Sequence, residues 1–143
     1  MKYEFHPNYH LFLDDERQPR QVTWVEIPQQ VHWVVVKSYD EFVRYITHEA
    51  RKGVLPGFIS FDHDLALEHY SGYMLVRSGL PYDEVFKNTK EKTGLDCAKW
   101  LVETYLLPNN LPLSKYQVHS MNPEGAANIR SYLDSYARSI QTE

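Results

Sequence analysis

Short buried-strand patterns, several of which end directly in charged or histidine residues, constrain this chain more than any other feature. An apolar run precedes such polar residues three times, at residues 11–13, 58–61 and 116–118. A fourth run, Trp33–Val36, is rich in β-branched residues and predicts another buried strand. Helical patterns separate the runs, and this alternation favours a parallel sheet with right-handed crossovers. Ligands bind beyond the carboxyl ends of such strands. We therefore expect the polar residues that directly follow the strands, here called the polar tips, to share one crevice.

The pattern predicts four strands, over residues 10–14, 33–36, 57–62 and 116–119, and a weak alternation at 22–27 suggests a short edge strand. Helices are predicted after Ser38, from Thr93 and after Asn122. Ser38 begins a Ser-x-x-Glu capping box, and Asn122 precedes a first-turn proline. Residues 66–92 contain glycines and Pro81 and predict a long irregular excursion over the strand ends.

Composition bounds the class of protein. The 143 residues suit a single domain spanning 1–143, and 43% hydrophobic content supports a real core. A net charge of −4 argues against bulk DNA binding, although not against a local phosphate pocket. One cysteine, Cys97, excludes an internal disulfide and fits a reducing cytoplasmic location. The N-terminus lacks an apolar signal-peptide core, and no apolar stretch reaches the roughly 20 residues that span a bilayer.

The first polar tip carries two adjacent carboxylates, Asp14 and Asp15, with Arg17 close behind. The chain turns at a strand end, so both acids can reach the same crevice. A common acidic turn with a solvated ion pair is the alternative interpretation. Arg17 is a candidate for phosphate binding because an arginine fork matches phosphate oxygens.

The second tip is the run Asp62-His63-Asp64. Asp62 is a candidate metal ligand, His63 a proton-transfer group, and Asp64 a residue that orients an imidazole or a water. The alternative makes Asp64 a helix cap and His63 a satisfied, partly buried imidazole. These two interpretations are evenly balanced when the run is taken alone.

The third tip begins at His119 and leads into the last predicted helix. His119 is a candidate general acid or base, with an unperturbed pKa of about 6.5. Ser120 and the helix start at Asn122 could donate hydrogen bonds to a phosphate, and Gly125 would allow an anion to approach the first turn. Crowded carboxylates repel one another unless a proton or cation intervenes, which predicts a hard divalent ion, Mg²⁺ or Mn²⁺.

Four short motifs occur in order along the chain: LFLDDERQP at 11–19, SFDHDL at 60–65, TGLD at 93–96 and HSMNPEG at 119–125. Together they resemble the cyclic-phosphate-processing receiver-like domain family, a divergent relative of response-regulator receiver domains. The resemblance implies a receiver-like (flavodoxin-like) α/β fold with a mainly parallel sheet and helices on both faces, reduced or modified relative to the five-stranded receiver. The chain departs from ordinary receivers because no later strand pattern ends in lysine.

The residues and the resemblance support two main hypotheses. The first is a metal-dependent phosphoesterase that acts on a cyclic phosphate, with a phosphate-containing small molecule or RNA terminus as partner. The second is a non-enzymatic receiver-like module that binds a phosphorylated ligand or a partner protein. A purely structural scaffold is less attractive because the clustered acids repel one another. The predicted metal ligands are Asp14, Asp15 and Asp62, the catalytic residues His63, Asp64 and His119, and the substrate-binding residues Arg17, Ser120 and Asn122.

Overall fold

Four parallel strands form the centre of the fold in the order β2-β1-β3-β4. The computed structural model describes residues 3–87 and 91–141. The strands are β1 (Glu4–Leu13), β2 (Trp33–Val36), β3 (Val54–Phe61) and β4 (Lys115–Val118). The helices are α1 (Tyr39–Ala50), α2 (Leu67–Arg77), α3 (Tyr82–Phe86), α4 (Gly94–Leu101) and α5 (Pro123–Gln141). No helix in this described part of the chain is long and apolar enough to cross a membrane.

The strand order corresponds to the first four positions of the flavodoxin-like order 2-1-3-4-5. The predicted receiver-like α/β fold is therefore confirmed, with four parallel strands in the described residues. The four predicted strands are all present, although β1 and β3 begin earlier than the sequence pattern indicated. Both extensions lie before the apolar runs, where proline and polar residues weaken the strand signal.

Helices α1, α4 and α5 share one face of the sheet. Core residues of α1, α4 and α5, such as Phe42, Leu101 and Ile129, belong to a single buried cluster. The second, smaller cluster of buried residues lies apart from these three helices. The chain crosses the sheet in one direction from β2 to β3 to β4, so right-handed crossovers place α1 and α4 on the same side.

The opposite face is covered by the connection between β1 and β2. Val22 and Ile27 of this segment pack on Phe12 in a second, smaller cluster. The segment contains a single 3-10 turn, Pro19–Gln21, and the edge strand predicted at 22–27 does not form. Its apolar residues serve as a cover for the sheet, which explains their weak alternation.

The excursion at 66–92 is more regular than predicted because α2 and α3 lie within it. Gly72 is one of the glycines behind that prediction, and it lies inside α2, where an added Cβ would come within 2.9 Å of Val85 and Phe86. The glycine therefore permits α2 and α3 to pack closely. Residues 88–90 of the predicted excursion lie outside the described residues.

The remaining helix boundaries follow their predicted capping signals. The Ser38 side chain accepts a hydrogen bond at the start of α1, and Thr93 forms a capping box with Asp96 at the start of α4. Cys97 is fully buried in α4, as expected of a packed thiol. Asn122 caps α5 by accepting a hydrogen bond from the Gly125 N–H.

Candidate functional site

Three strands end at the same level, which brings the predicted polar tips together. Leu13 of β1 pairs with Phe61 of β3, and Phe61 pairs with Val118 of β4. The residues that follow these three are Asp14, Asp62 and His119. The edge lies where β1 and β3 send the chain in opposite directions, which is the switch point at which ligands bind in open α/β sheets.

Asp14, Asp62 and His119 form a buried cluster. Each backbone N–H donates to a carbonyl of the neighbouring strand, at 2.9–3.0 Å, so the three residues continue the sheet side by side. One ligand atom from each side chain lies within 4.8 Å of the others. Their exposed fractions are 1%, 4% and 0%. The convergence predicted for these three tips is therefore present in the structure.

His119 holds the Asp14 carboxylate through a hydrogen bond. The His119 Nε2 lies 3.0 Å from Asp14 Oδ2, and its Nδ1 lies 2.7 Å from Ser60 Oγ. Because an ionised carboxylate can only accept, Nε2–H donates to Asp14 and Nδ1 accepts from the hydroxyl. The ring also stacks on Phe12 at 4.5 Å. Both ring nitrogens thus have protein partners, and the imidazole is fixed in one orientation.

The remaining contacts of Asp14 keep it ionised. Its Oδ1 accepts hydrogen bonds from the N–H groups of Glu16 and Arg17, at 2.8 and 2.9 Å. Burial alone would raise the pKa of Asp14, but the hydrogen bonds from His119 and these two N–H groups outweigh it and lower the pKa. Burial lowers the pKa of His119 despite the nearby carboxylate, which favours the neutral imidazole.

Asp62 is the carboxylate of the cluster whose ionised form is most disfavoured by its surroundings. Burial, together with the charges of Asp14 and Asp64, raises the pKa of Asp62 to about 8. The backbone N–H of His63 donates to its Oδ1 at 2.8 Å and offsets this only in part. A carboxylate in this position holds a proton near neutral pH unless a cation lies beside it.

Asp15 lies beside the cluster, where it lines the adjoining cleft. Partial burial, with the charges of Asp14 and Glu16, raises the pKa of Asp15 to about 6. Asp15 is not among the three residues whose ligand atoms converge. It therefore contributes a further carboxylate at the mouth of the acidic cluster.

The second imidazole, His63, lies behind Asp64. Its Nδ1 is 2.6 Å from Asp64 Oδ1, and its Nε2 is 2.6 Å from the hydroxyl of Tyr82. The carboxylate can only accept, so Nδ1–H donates to Asp64 and Nε2 accepts from Tyr82. Asn122 Nδ2 donates to the same Asp64 oxygen at 3.1 Å. The alternative of a satisfied, buried imidazole describes the contacts of His63, whereas α2 is capped at Ala66 rather than at Asp64.

Gly125 makes room for the His63 ring. A Cβ at this position would lie 2.4 Å from His63 Cγ. The glycine was expected to let an anion approach the first turn of α5. Instead, the first turn packs on the imidazole, and the N–H groups of Asn122 and Gly125 are bound to Ser120 Oγ and Asn122 Oδ1. The start of α5 therefore has fewer free N–H groups to donate to a ligand than the sequence suggested.

A cleft of about 610 Å³ opens above these residues. Its lining combines acids, Arg17, the β4–α5 loop and two tyrosines of α2: Asp15, Glu16, Arg17, Asp62, Asp64, Ala66, Tyr70, Tyr73, Ser120, Met121 and Asn122. Six of the nine predicted site residues line this cleft. Asp14, His63 and His119 lie beneath it, and the two fully buried imidazoles have no direct access to a ligand in this conformation.

Among the described residues that line this cleft, Arg17 is the cation. Its guanidinium lies 5.2 Å from the Trp24 ring centroid, 3.7 Å from Asp14 Oδ2, and 3.5 Å from Met121 Sδ. The Trp24 indole N–H donates to the carbonyl of His119 at 2.8 Å. The segment that covers the sheet thus also holds the arginine at the cleft.

The supporting contacts of three residues were not predicted from the sequence: those of Ser60, Tyr82 and Trp24. Ser60 had a detectable signal, since a hydroxyl inside a buried strand, two residues before Asp62, needs a polar partner. Tyr82 and Trp24 lie in segments without clear periodicity. Nothing in the local sequence indicates that either contacts the site.

The fold and the site together define a receiver-like α/β domain with a buried acidic cluster at its switch point. A family model, the cyclic-phosphate processing receiver domain, matches residues 9–135. The chain belongs to this family. No curated protein and no solved structure matches the chain.

Proposed function

We propose that this domain is a metal-dependent phosphoesterase that opens a cyclic phosphate of a nucleotide or RNA end. The observation that carries the proposal is the convergence of Asp14, Asp62 and His119 at the base of a cleft large enough for a small molecule. The family to which the chain belongs is associated with cyclic-phosphate processing. The hydrolytic reaction, its metal and its substrate are our inferences.

The donor atoms of the cluster fit a hard cation. Asp14 and Asp62 bring carboxylate oxygens together in a buried setting, and Asp15 adds a third at the cleft. Oxygen donors of this kind favour Mg²⁺ or Mn²⁺ over softer ions. The raised pKa of Asp62 points the same way, because a nearby positive charge relieves the repulsion. When bound, such an ion would polarise a phosphoryl oxygen and favour ionisation of a water molecule.

The two histidines act as positioning residues in this proposal. His119 holds Asp14 through Nε2 and is itself held by Ser60. His63 holds Asp64 through Nδ1 and is held by Tyr82. Hydrogen bonds of this kind fix the orientation of a carboxylate.

Binding and proton transfer fall to residues that line the cleft. Arg17 is placed to donate to phosphate oxygens, and Ser120 can add a hydroxyl. Hydrolysis breaks one P–O bond of the ring and adds the oxygen of water to phosphorus. Asp64 would accept the proton from that water and return it to the leaving oxygen, which becomes a free hydroxyl. One of its two oxygens is already fixed by His63 and Asn122.

The experiment is hydrolysis of nucleoside 2′,3′-cyclic phosphates by the pure protein with Mg²⁺ or Mn²⁺. We expect turnover that chelation abolishes and that Asp62→Asn lowers at least about 100-fold. Asp40→Asn, which changes an exposed acid of α1, is the matched control and should leave the rate unchanged. Absence of turnover of any nucleoside 2′,3′-cyclic phosphate by wild-type protein with bound metal would refute the proposal.

The non-enzymatic module is the second candidate. Both imidazoles already have partners at both ring nitrogens, and this favours binding without proton transfer by histidine. No lysine is among the residues that line the cleft in the described part of the chain. The module predicts binding of metal and of phosphate monoesters with no reaction. Incubation with acetyl phosphate followed by mass spectrometry distinguishes it from a phosphate-accepting receiver, which would form an adduct on Asp62.

A further inference from the structure

One wall of the cleft is aromatic. Tyr70 and Tyr73 lie one turn apart on α2, and both line the cleft that contains Asp62 and Asp64. Their ring centroids are 6.3 Å apart, with ring planes tilted by 57°. Tyr70 is 56% exposed. Exposed aromatic surface inside a concave site gains little from folding and marks a place where a ligand could cover it.

One of the two rings contacts a cation, and a further apolar side chain lines the same cleft. The Arg77 guanidinium lies 5.9 Å from the Tyr73 ring centroid, which braces that ring through a cation–π contact. Met121 lines the same cleft from the β4–α5 loop and is 56% exposed. A methionine thioether adapts well to the face or edge of an aromatic ring.

The cleft is larger than a bare phosphate requires. Its volume of about 610 Å³ falls in the range of about 300–1,000 Å³ typical of pockets that enclose whole small molecules. A ligand that fills it needs a charged part for the end containing Asp62 and Arg17, and a flat apolar part for the tyrosines. A nucleobase has that second property, because both of its faces stack on aromatic side chains.

We propose that Tyr70 and Tyr73 form a stacking site for the base of a nucleotide whose phosphate lies at the acidic end of the cleft. This rests on the proposed function for the position of the phosphate. It assigns to α2 the recognition of the nucleoside part of that substrate, which a cyclic phosphate of a polyol lacks. Stacking is tolerant of base identity, so the site accepts several bases.

The experiment compares two phosphate monoesters that are not cyclic and need no turnover: adenosine 2′-monophosphate and glycerol 2-phosphate. Their affinities for the full chain are measured by calorimetry with Mn²⁺ present. We expect wild-type protein to prefer the nucleotide by roughly 5- to 150-fold, which corresponds to about 1–3 kcal/mol for one stacked base. Tyr70→Leu should remove most of this preference, whereas Tyr70→Phe should keep it.

Controls separate stacking from a loss of fold. Leu75→Ala changes another exposed residue of α2 that does not line the cleft, and it should leave both affinities unchanged. The inference is overturned if wild-type protein does not bind the nucleotide more tightly than glycerol 2-phosphate, or if Tyr70→Leu weakens both equally.

The outcome is independent of the proposed hydrolysis. Selective loss of nucleotide binding in Tyr70→Leu, with no turnover of adenosine 2′,3′-cyclic phosphate by wild-type protein, supports the stacking site and removes the enzyme. Turnover that depends on Asp62, together with a nucleotide affinity that Tyr70→Leu does not change, supports the enzyme and removes the stacking site. The two ideas therefore fail separately.

Discussion

Replacing Asp62 with asparagine should flatten the dependence of stability on pH in metal-free protein. Asparagine has nearly the same shape and can still accept the hydrogen bond from the His63 N–H, but it carries no charge. In the wild-type fold, burial beside Asp14 and Asp64 raises the pKa of Asp62 from 3.8 to about 8. Between those two pH values the folded state binds a proton that the unfolded state has lost, so stability falls as pH rises.

The magnitude follows from the difference in pKa. A difference of about 4 corresponds to at most about 6 kcal/mol, and this full loss is reached only above the folded pKa. Asp15 contributes in the same direction at lower pH, because its pKa is raised to about 6, whereas the lowered pKa of His119 acts in the opposite direction. Between about pH 6.5 and about pH 8.5 the Asp62 contribution dominates, and it amounts to roughly 2 kcal/mol.

The assay is urea denaturation followed by tryptophan fluorescence, with a chelator, at both ends of that pH range. Wild-type protein should lose roughly 2 kcal/mol of unfolding free energy over the range, and Asp62→Asn should lose far less. Asp40→Asn serves as the control for removal of an exposed acid and should behave as wild type. Equal pH slopes in wild-type protein and Asp62→Asn would refute the electrostatic account of the cluster.

Three further substitutions probe the supporting contacts. Ser60→Ala leaves the buried His119 Nδ1 without its partner, and it should cost about 1–3 kcal/mol of stability and weaken Mn²⁺ binding roughly 10-fold. Tyr82→Phe removes the hydroxyl that donates to His63 and should cost about 1 kcal/mol in urea denaturation. Gly125→Ala places a methyl group 2.4 Å from the His63 ring and should destabilise the fold by about 1–3 kcal/mol, measured in the same way.

Each of these has a control or an outcome that contradicts it. Ser71→Ala, on the exposed surface of α2, should leave Mn²⁺ affinity unchanged, and an equal effect of Ser60→Ala and Ser71→Ala would argue against the Ser60 contact. Tyr132 lies in the same surface pocket as Tyr82, so Tyr132→Phe tests whether loss of any hydroxyl there has the same cost. Wild-type stability in Gly125→Ala would show that the ring can move without penalty.

The polar tips could be predicted because each is marked by an apolar run that directly precedes it, and because parallel strands end at a common edge of the sheet. An apolar run followed by Asp14, Asp62 or His119 identifies a strand end, and parallel strands bring their ends to one edge. The sequence therefore indicated which residues meet, and the structure confirms that these three do. Asp15, in contrast, was placed with the ligands on adjacency alone, and it lies at the cleft beside them.

The supporting residues and the excursion were harder to predict because their signals are not local. Tyr82 reaches His63 only after α2 and α3 have packed together, and that packing depends on Gly72, a residue that otherwise indicates a break. Trp24 lies in a segment with weak alternation, yet its indole holds the His119 backbone. The structure also buries His63 and His119 beside Asp64 and Asp14, whereas the sequence predicted them as proton-transfer groups at the crevice.

Anomalous diffraction from crystals soaked with Mn²⁺ tests the central claim most directly. We predict one strong anomalous peak between the carboxylates of Asp14 and Asp62, near Asp15, that is lost in Asp62→Asn crystals. Soaked crystals with these carboxylates well ordered and no peak between them would contradict it.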